Sequence, residues 1–188
     1  MGVGREPPAG LPPGTVLAFR AVPPPRGPAQ QSAAGRAAAA GALAACGSAR
    51  RDVPREAGGR PRFPPGFPGS ISHTARLAVA TVAPGAAAVG VDIEDAEIAP
   101  RVARFVLRER ERRLLLAPGG PYGARDLYAA KEAAFKALNA LVTPREFVFW
   151  RVELALTEGG LLASYEGEPV PVRVRSDPDL SFAVAIRR

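Results

Sequence analysis

Residues 89–94 read V-G-V-D-I-E, a run in which apolar side chains alternate with other types. The alternation predicts a β-strand, because successive side chains of a strand point to opposite faces. The apolar face would enter a core, and the other would carry Gly90, Asp92 and Glu94, with the glycine leaving room for a ligand. Two carboxylates this close repel each other unless a cation lies between them, and Mg²⁺ would suit them. A half-exposed strand with two solvated acids is, however, the commoner meaning of such a pattern.

A later segment, residues 124–141, is rich in Ala, Leu, Lys and Glu and predicts a helix. Glu132 and Lys136 are four residues apart, so they share one helix face. This spacing commonly marks an exposed ion pair. Alternatively, Glu132 is a third carboxylate for the same metal, and Lys136 is a phosphate ligand or proton donor. The only two lysines among 25 basic residues, Lys131 and Lys136, lie in this segment, which favours a site that needs an ammonium group.

Residues 69–74, G-S-I-S-H-T, supply several hydrogen-bond donors suited to phosphate oxygens. They include His73, the only histidine of the chain, although a lone histidine in a strand is more often structural than a ligand. Without a second histidine or a cysteine cluster, a zinc site is not expected. No G-x-S-x-G, Walker A or G-x-G-x-x-G sequence occurs, so neither a serine hydrolase nor a common nucleotide-binding loop is indicated.

The patterns on either side extend this strand and helix into an α+β protein of two similar lobes. We interpret residues 1–14 as a flexible N-terminus, 15–88 as the N-terminal lobe and 89–188 as the C-terminal lobe with the metal-binding motifs. Besides residues 89–94, strands are predicted at 15–22, 70–74, 76–83 and within 146–188, and helices at 30–46, 98–107, 108–116 and 124–141.

The composition favours a globular protein outside the membrane. The 188 residues are 47% hydrophobic and carry a net charge of +7, which would attract an anionic partner. No apolar run approaches the roughly 20 residues of a membrane-spanning helix. The N-terminus lacks the pattern of a signal peptide, and the lone Cys46 cannot form an internal disulfide. We therefore expect a cytoplasmic protein.

Five motifs, in this order along the chain, resemble those of the 4′-phosphopantetheinyl transferases of the larger, Sfp/enterobactin-synthase type. The resemblance covers residues 33 to about 140, and the last two motifs are the most specific. The motifs are A-A-G-R at 33–36, G-G-R-P at 58–61, S-I-S-H at 70–73, G-V-D-I-E at 90–94 and Y-A-A-K-E-A-A-F-K at 128–136.

The resemblance implies a fold and an activity. The fold would be two similar lobes in a pseudo-twofold arrangement, each a small antiparallel sheet packed with helices, in a monomeric enzyme. The activity would be Mg²⁺-dependent transfer of 4′-phosphopantetheine from coenzyme A to a serine of an apo acyl or peptidyl carrier protein, with release of 3′,5′-ADP. Siderophore, polyketide or nonribosomal peptide biosynthesis would be the setting.

The resemblance also implies roles for the metal site and the reacting groups. Asp92, Glu94 and Glu132 would hold Mg²⁺ together with the coenzyme A diphosphate. Lys136 would contact the diphosphate and protonate the departing phosphate. Glu111 would accept the proton of the attacking serine, with Glu109 as the alternative if the alignment is shifted by two residues.

The remaining roles concern the nucleotide part of coenzyme A. By the same resemblance, His73 would hold the 3′-phosphate, Ser72 would line the phosphate site, and Arg60 and Arg36 would bind phosphate. The chain departs from the family pattern at two places that bear on nucleotide binding. Ala40 stands where a second arginine is common, and Q-Q-S at 30–32 replaces a segment that is usually basic.

Two other functions remain open at this point. A non-catalytic carrier-binding protein and a basic nucleic-acid-binding protein would both account for the net charge, although neither explains the pairing of the acidic and lysine motifs. We expect no nucleic-acid partner. The cluster of Arg108, Arg110, Arg112 and Arg113 is a candidate docking face for an acidic carrier, or else a solvated helix with Arg–Glu pairs.

Overall fold

The computed structural model describes residues 6–139 and 149–188. The first part of the chain forms a three-stranded antiparallel sheet and one long helix. In order these are β1 (Val16–Ala21), α1 (Pro28–Ala45), β2 (Gly69–His73) and β3 (Leu77–Val82). The spatial order of the strands is β1-β3-β2, so the last strand lies in the middle.

The second part forms three helices and a five-stranded antiparallel sheet. The elements are β4 (Ala88–Glu94), α2 (Pro100–Val106), α3 (Glu109–Leu114), α4 (Ala124–Leu138), a 3₁₀ turn (Phe149–Arg151), β5 (Glu153–Thr157), β6 (Gly160–Tyr165), β7 (Glu168–Asp177) and β8 (Leu180–Arg187). The spatial order of the strands is β4-β8-β7-β6-β5. The longest helix, α4, packs against β4, β7 and β8.

The chain connects the strands of the two sheets in a similar order, which confirms the predicted α+β fold of two similar lobes. Each lobe begins with a strand, continues through a long helix that packs on the sheet, and ends with two antiparallel strands. The last of these lies next to the first strand, between it and the strand before. The triplet β4-β8-β7 therefore repeats the order β1-β3-β2. The second lobe extends this unit with β6 and β5 at one edge and with α2 and α3 before α4.

The apolar residues form three layers. Between the sheets, Val91 and Ile93 of β4 pack in one buried cluster with Val79 of β3 and Phe182 of β8, as the alternation in β4 predicts. On the far side of the first sheet, small side chains of α1 pack against β3. On the far side of the second sheet, the alanines of α4 do the same against β8 and β7. Both strand faces of β4 are thus covered.

Helix α1 begins at Pro28, a residue whose fixed backbone angle suits the first turn of a helix. The predicted Ala-rich helix is confirmed with a start two residues earlier. Gly35 lies where α1 crosses β2, because a Cβ there would lie 2.8 Å from a methyl carbon of Ile71. Among the described residues, no helix has both the length and the apolarity needed to cross a membrane.

The N-terminal segment, for which the composition predicts flexibility, contacts the second lobe. Arg173, Arg175 and Arg188 donate hydrogen bonds to backbone oxygens within residues 6–13, at donor–acceptor distances of 3.2, 2.8 and 2.7 Å. These three arginines belong to the C-terminal strands and the chain end, so the segment ties the beginning of the chain to its end.

Gly90 has a different role from the one that the sequence predicts. A Cβ at this position would lie 1.9 Å from the carbonyl oxygen of Ala133 and 2.8 Å from the amide nitrogen of Ala137. The missing side chain therefore makes room for the backbone of α4 and not for a ligand. The contact brings the acids of β4 and the polar face of α4 together.

We predict that Gly90→Ala lowers the free energy of unfolding by about 3 kcal/mol or more, because the new methyl group overlaps a helix backbone that cannot move independently. Denaturant unfolding measures the change. Gly58→Ala is the matched control, since a Cβ there meets nothing within 4 Å. Equal stability of the two variants would contradict the contact.

Candidate active site

The carboxylate of Asp92 joins three elements. Its Oδ1 accepts hydrogen bonds from Ser72 Oγ of β2 and from Lys136 Nζ of α4, both at 2.7 Å. Lys136 Nζ also donates to the backbone oxygen of Val91 at 3.0 Å. The first lobe, the second sheet and α4 thus meet at one carboxylate oxygen.

The second carboxylate oxygen of Asp92 has no such partners. Asp92 is 4% exposed, and its Oδ2 is buried without a hydrogen-bond partner among the described residues. A buried oxygen of a charged group without a hydrogen-bond partner lowers the free energy of unfolding, so such atoms commonly bind a donor or a cation. This oxygen is the clearest sign that the site takes a further positive group.

Glu94 and Glu132 complete a cluster of acids around Asp92. Burial, followed by the charges of Asp92 and Glu132, raises the pKa of the Glu94 carboxyl to about 7. Burial and the charge of Asp92 also raise the pKa of Glu132, whereas Lys136 lowers it. The three carboxylates therefore repel one another, and one ammonium group does not neutralise them.

The donor set fits Mg²⁺ in kind and charge, although it is not a closed metal cage. Among the described residues, no group of three or more His, Cys, Asp or Glu side chains has the arrangement of a preformed metal site. What fits is the chemistry: three oxygen donors, a partnerless oxygen on Asp92 and an excess of negative charge. Mg²⁺ usually takes only one or two carboxylates and completes its shell with phosphate and water.

Tyr128 is a site residue that the sequence interpretation gave no role. Burial and the charges of Glu132, Glu94 and Asp92 raise the pKa of its hydroxyl. Tyr128, Glu132 and Lys136 are spaced by four residues, so they form one polar stripe along α4 that faces the acids of β4. The spacing that places Tyr128 beside these acids is visible in the sequence.

A cavity of about 190 Å³ opens next to the acid cluster in the first lobe. Its lining combines apolar residues with polar and cationic ones. Partial burial and the charge of Lys136 lower the pKa of His73, which links this cavity to the acids. The apolar lining residues include Val53, Pro61 and Ile71, and the polar and cationic ones are Gln31, Ser32, Arg36, Arg55 and His73.

Comparison with protein families matches both lobes. Residues 29–83 match the model described as the 4′-phosphopantetheinyl transferase N-terminal domain. Residues 88–185, more than half of the chain, match the model described as the 4′-phosphopantetheinyl transferase superfamily. The chain belongs to the 4′-phosphopantetheinyl transferase superfamily. A search of individually curated proteins found no significant match.

Membership shows that the chain is of a transferase family whose partners include carrier proteins and coenzyme A. Six of the residues that the resemblance names, namely Asp92, Glu94, Glu132, Lys136, Ser72 and His73, meet at the contact of β2, β4 and α4. Arg36 lines the adjoining cavity. Arg60 and Glu111 are placed differently.

Arg60 is not among the described residues that line the cavity. Its Nη1 donates to the backbone oxygen of Asn139 at 3.1 Å, just after the end of α4. Arg55, to which the sequence interpretation gave no role, lines the cavity in its stead. No motif marked Arg55, because its position depends on how the loop folds.

Glu111 lies in a buried network on another face of α4. It is 2% exposed, and its Oε2 is 2.8 Å from Lys131 Nζ and accepts the backbone amide of Arg108 at 2.8 Å. Its Oε1 accepts the amide of Leu154 at 2.7 Å. Three donors thus occupy the carboxylate, a position that does not fit the base role implied for Glu111.

Lys131 is the cation of this network and is fully buried. Besides Glu111, its Nζ donates to the carbonyl oxygens of Val106 at 2.9 Å and Val152 at 2.7 Å. Burial lowers the pKa of Lys131, while the charge of Glu111 opposes the change. The two lysines that lie together in the sequence therefore serve separate sites, and only Lys136 reaches the acids of β4.

Two arginines of the predicted docking cluster have structural partners. Arg108 forms an ion pair with Glu153 at 2.5 Å, and Arg112 donates to the backbone oxygens of Arg104 and Leu107 near the end of α2. Arg110 and Arg113, the other members, are exposed on α3.

We predict that Lys131→Met lowers the free energy of unfolding by about 3–5 kcal/mol, because it leaves the buried Glu111 charge without its cation. The double variant Glu111→Gln/Lys131→Met should be more stable than the single one, since it removes both charges. Chemical unfolding of the variants measures both effects. A double variant no more stable than Lys131→Met would contradict the pairing.

The raised pKa of Glu94 predicts a pH effect on stability. A carboxyl that holds its proton more tightly when folded makes the free energy of unfolding fall as pH rises from 4.5 to about 7. In buffer with a chelator, Glu94→Gln should therefore be more stable than wild type at pH 8, and the difference should vanish near pH 4.5. Unfolding curves across this range test the effect, with the exposed Glu97→Gln as control. Parallel curves for Glu94→Gln and wild type would contradict it.

Proposed function

We propose that the protein transfers the 4′-phosphopantetheine group from coenzyme A to a serine of an apo carrier protein and releases 3′,5′-ADP. The observation that carries this proposal is the buried, half-satisfied carboxylate of Asp92, which lies beside Lys136 and next to a cationic cavity. Coenzyme A, whose diphosphate joins a phosphorylated nucleoside to the pantetheine arm, would match the acid cluster with its diphosphate and the cavity with its nucleoside. The family membership supports the same reaction.

Coenzyme A would bind across the contact between the lobes. Its nucleotide would lie in the cavity beside His73 and Arg36, and its diphosphate would reach the acid cluster. Asp92, Glu94 and Glu132 would hold Mg²⁺ there. When bound, the ion would supply charge neutralisation on the diphosphate oxygens and polarise the reacting phosphorus.

We assign Lys136 the roles of diphosphate ligand and proton donor. Its Nζ lies 2.7 Å from Asp92 Oδ1, so the ammonium is held at the edge of the acid cluster. In the transfer, the serine oxygen bonds to the phosphorus of the pantetheine-side phosphate, and the bond to the bridging oxygen of 3′,5′-ADP breaks. Lys136 would donate a proton to that departing oxygen.

The serine proton needs an acceptor on the carrier side. Because three donors hold Glu111 in a buried position, we assign it the positioning of α3, α4 and β5. Glu109, which is exposed on α3, is then the acid that the resemblance offers for this proton.

We infer an acidic apo acyl or peptidyl carrier protein as the second substrate. The net charge of +7 would favour its approach by electrostatic steering, and Arg110 and Arg113 are exposed candidates for the contact. The two-lobed chain fits the Sfp/enterobactin-synthase type, a monomeric cytoplasmic enzyme of siderophore, polyketide or nonribosomal peptide biosynthesis.

Mass measurement of an apo carrier protein, incubated with this protein, coenzyme A and Mg²⁺, tests the proposal. We expect a mass gain of one phosphopantetheine group that requires the divalent ion. A carrier that binds without a mass gain would indicate a non-catalytic scaffold. Tight, salt-sensitive binding of DNA or RNA without carrier modification would indicate a nucleic-acid-binding protein.

We predict that Asp92→Ala and Glu132→Ala abolish transfer while the fold survives, because each removes an oxygen donor from the proposed Mg²⁺ site. Carrier mass measures turnover, and circular dichroism measures folding. Glu97→Ala, which removes an exposed acid three residues beyond the end of β4, is the control and should retain activity. Normal turnover in Asp92→Ala or Glu132→Ala would defeat the metal assignment.

We predict that Lys136→Arg lowers the rate of transfer by about 100-fold, because arginine keeps the charge but does not release a proton. Separate measurements of kcat and of the dissociation constant for coenzyme A distinguish the two roles: kcat should fall while binding is largely kept. A near-normal kcat would mean that Lys136 acts only as a charge.

A further inference from the structure

The side chain of Ser72 leaves β2 on the face opposite the cavity. Successive side chains of a strand alternate between its two faces, and the neighbours of Ser72 on either side, Ile71 and His73, both line the cavity. Ser72 is 7% exposed, and it pairs in register with Val79, a residue of the apolar layer between the sheets. Its hydroxyl is therefore directed towards the second lobe.

The partner of Ser72 in the second lobe is Asp92. Ser72 Oγ donates to Asp92 Oδ1 at 2.7 Å, and the bond is buried. The two residues can meet because β4 lies at one edge of its sheet and β2 packs against it. A serine hydroxyl has a single hydrogen, so a hydroxyl that donates to this carboxylate has none left for a phosphate oxygen.

Ser72 and Lys136 together determine the orientation of the Asp92 carboxylate. Both donate to Oδ1, whereas Oδ2 has no hydrogen-bond partner among the described residues. The carboxylate cannot turn about its terminal bond without breaking both hydrogen bonds. In metal sites, hydrogen bonds of this kind orient the ligand, and their loss lowers metal affinity by roughly 10- to 100-fold.

The two donors on Oδ1 differ in their surroundings. The Lys136 side chain is 30% exposed, and in the proposed reaction it contacts the diphosphate and gives up a proton. Ser72 is buried and has no part in that transfer, so it remains on Oδ1 throughout. A side chain of the first lobe thereby orients an acid of the second lobe.

We propose that Ser72 is a positioning residue of the metal site: its hydroxyl holds Asp92 Oδ1, so that Oδ2 is presented to the divalent ion. The proposal rests on the proposed function, because it takes the acid cluster as the site of that ion. It makes the affinity for the ion depend on a hydroxyl that binds neither the ion nor the nucleotide.

Electron paramagnetic resonance of Mn²⁺ tests the proposal without relying on turnover. Mn²⁺ replaces Mg²⁺ and is titrated into the full chain with saturating coenzyme A. Ser72→Ala should weaken Mn²⁺ binding by about tenfold or more. Ser72→Cys, which keeps the shape of the side chain but donates only weakly, should also weaken it, whereas Ser72→Thr keeps the hydroxyl and should retain most of the affinity.

Thr81→Val is the matched control for the loss of a buried hydroxyl from the same sheet. Thr81 Oγ1 is buried without a hydrogen-bond partner among the described residues, so its removal should leave the Mn²⁺ affinity unchanged. Thermal unfolding of each variant shows that the protein compared is folded.

A second titration distinguishes positioning of the acid from binding of the nucleotide. In buffer with a chelator, calorimetry should give wild type and Ser72→Ala the same affinity for 3′,5′-ADP, because the hydroxyl is directed away from the cavity. Unchanged Mn²⁺ affinity in folded Ser72→Ala and Ser72→Cys would overturn the proposal, and so would a weaker affinity of Ser72→Ala for 3′,5′-ADP under chelation.

The outcome can be told apart from that of the proposed reaction. If wild type modifies a carrier while Ser72→Ala keeps its Mn²⁺ affinity, the proposed function stands and this inference falls. If Ser72→Ala and Ser72→Cys lose Mn²⁺ affinity in a protein that modifies no carrier, the inference stands and the proposed reaction falls.

Discussion

The contact between β4 and α4 determines the rest of the site. Because Gly90 has no side chain, the backbone of α4 lies directly against the strand, and Lys136 reaches Asp92 from one turn further along. The same approach brings Glu132 close enough to Asp92 and Glu94 for the three charges to repel one another. A loss of packing here would therefore separate the acids without removing any of them.

The two lysines of α4 have different roles: Lys131 belongs to a buried structural ion pair, and Lys136 belongs to the proposed active site. Lys131 and Glu111 neutralise each other in a buried network in which each has further backbone partners, so that pair has no capacity for a ligand. Lys136 and the acids of β4 are unbalanced, and one buried oxygen has no partner among the described residues. Incomplete satisfaction of buried charge, which a structural pair avoids, is what distinguishes the proposed active site.

Periodicity within a single segment predicted the local structure well, whereas contacts between distant segments could not be predicted. The alternation of residues 89–94 gave the correct buried face, and the spacing of Glu132 and Lys136 gave the polar face of α4. The role of Gly90 was wrong, because it depends on a helix more than 40 residues away. The sequence also could not tell that Arg55 lines the cavity while Arg60 bonds to Asn139 O, since the fold of the loop at 54–62 decides which arginine faces α1. Glu111 matched a family acid by position, yet only the structure shows that Lys131 and two amides already occupy it.

The central claim is that the acids of β4 and α4 hold one divalent ion against a diphosphate. Anomalous scattering from crystals grown with Mn²⁺ and coenzyme A tests this claim most directly, because it locates the ion independently of turnover. The account predicts one peak in coordination contact with Asp92, Glu94 and Glu132 and with the diphosphate oxygens. A diphosphate bound at Lys136 with the ion absent, or an ion bound away from these three carboxylates, would contradict it.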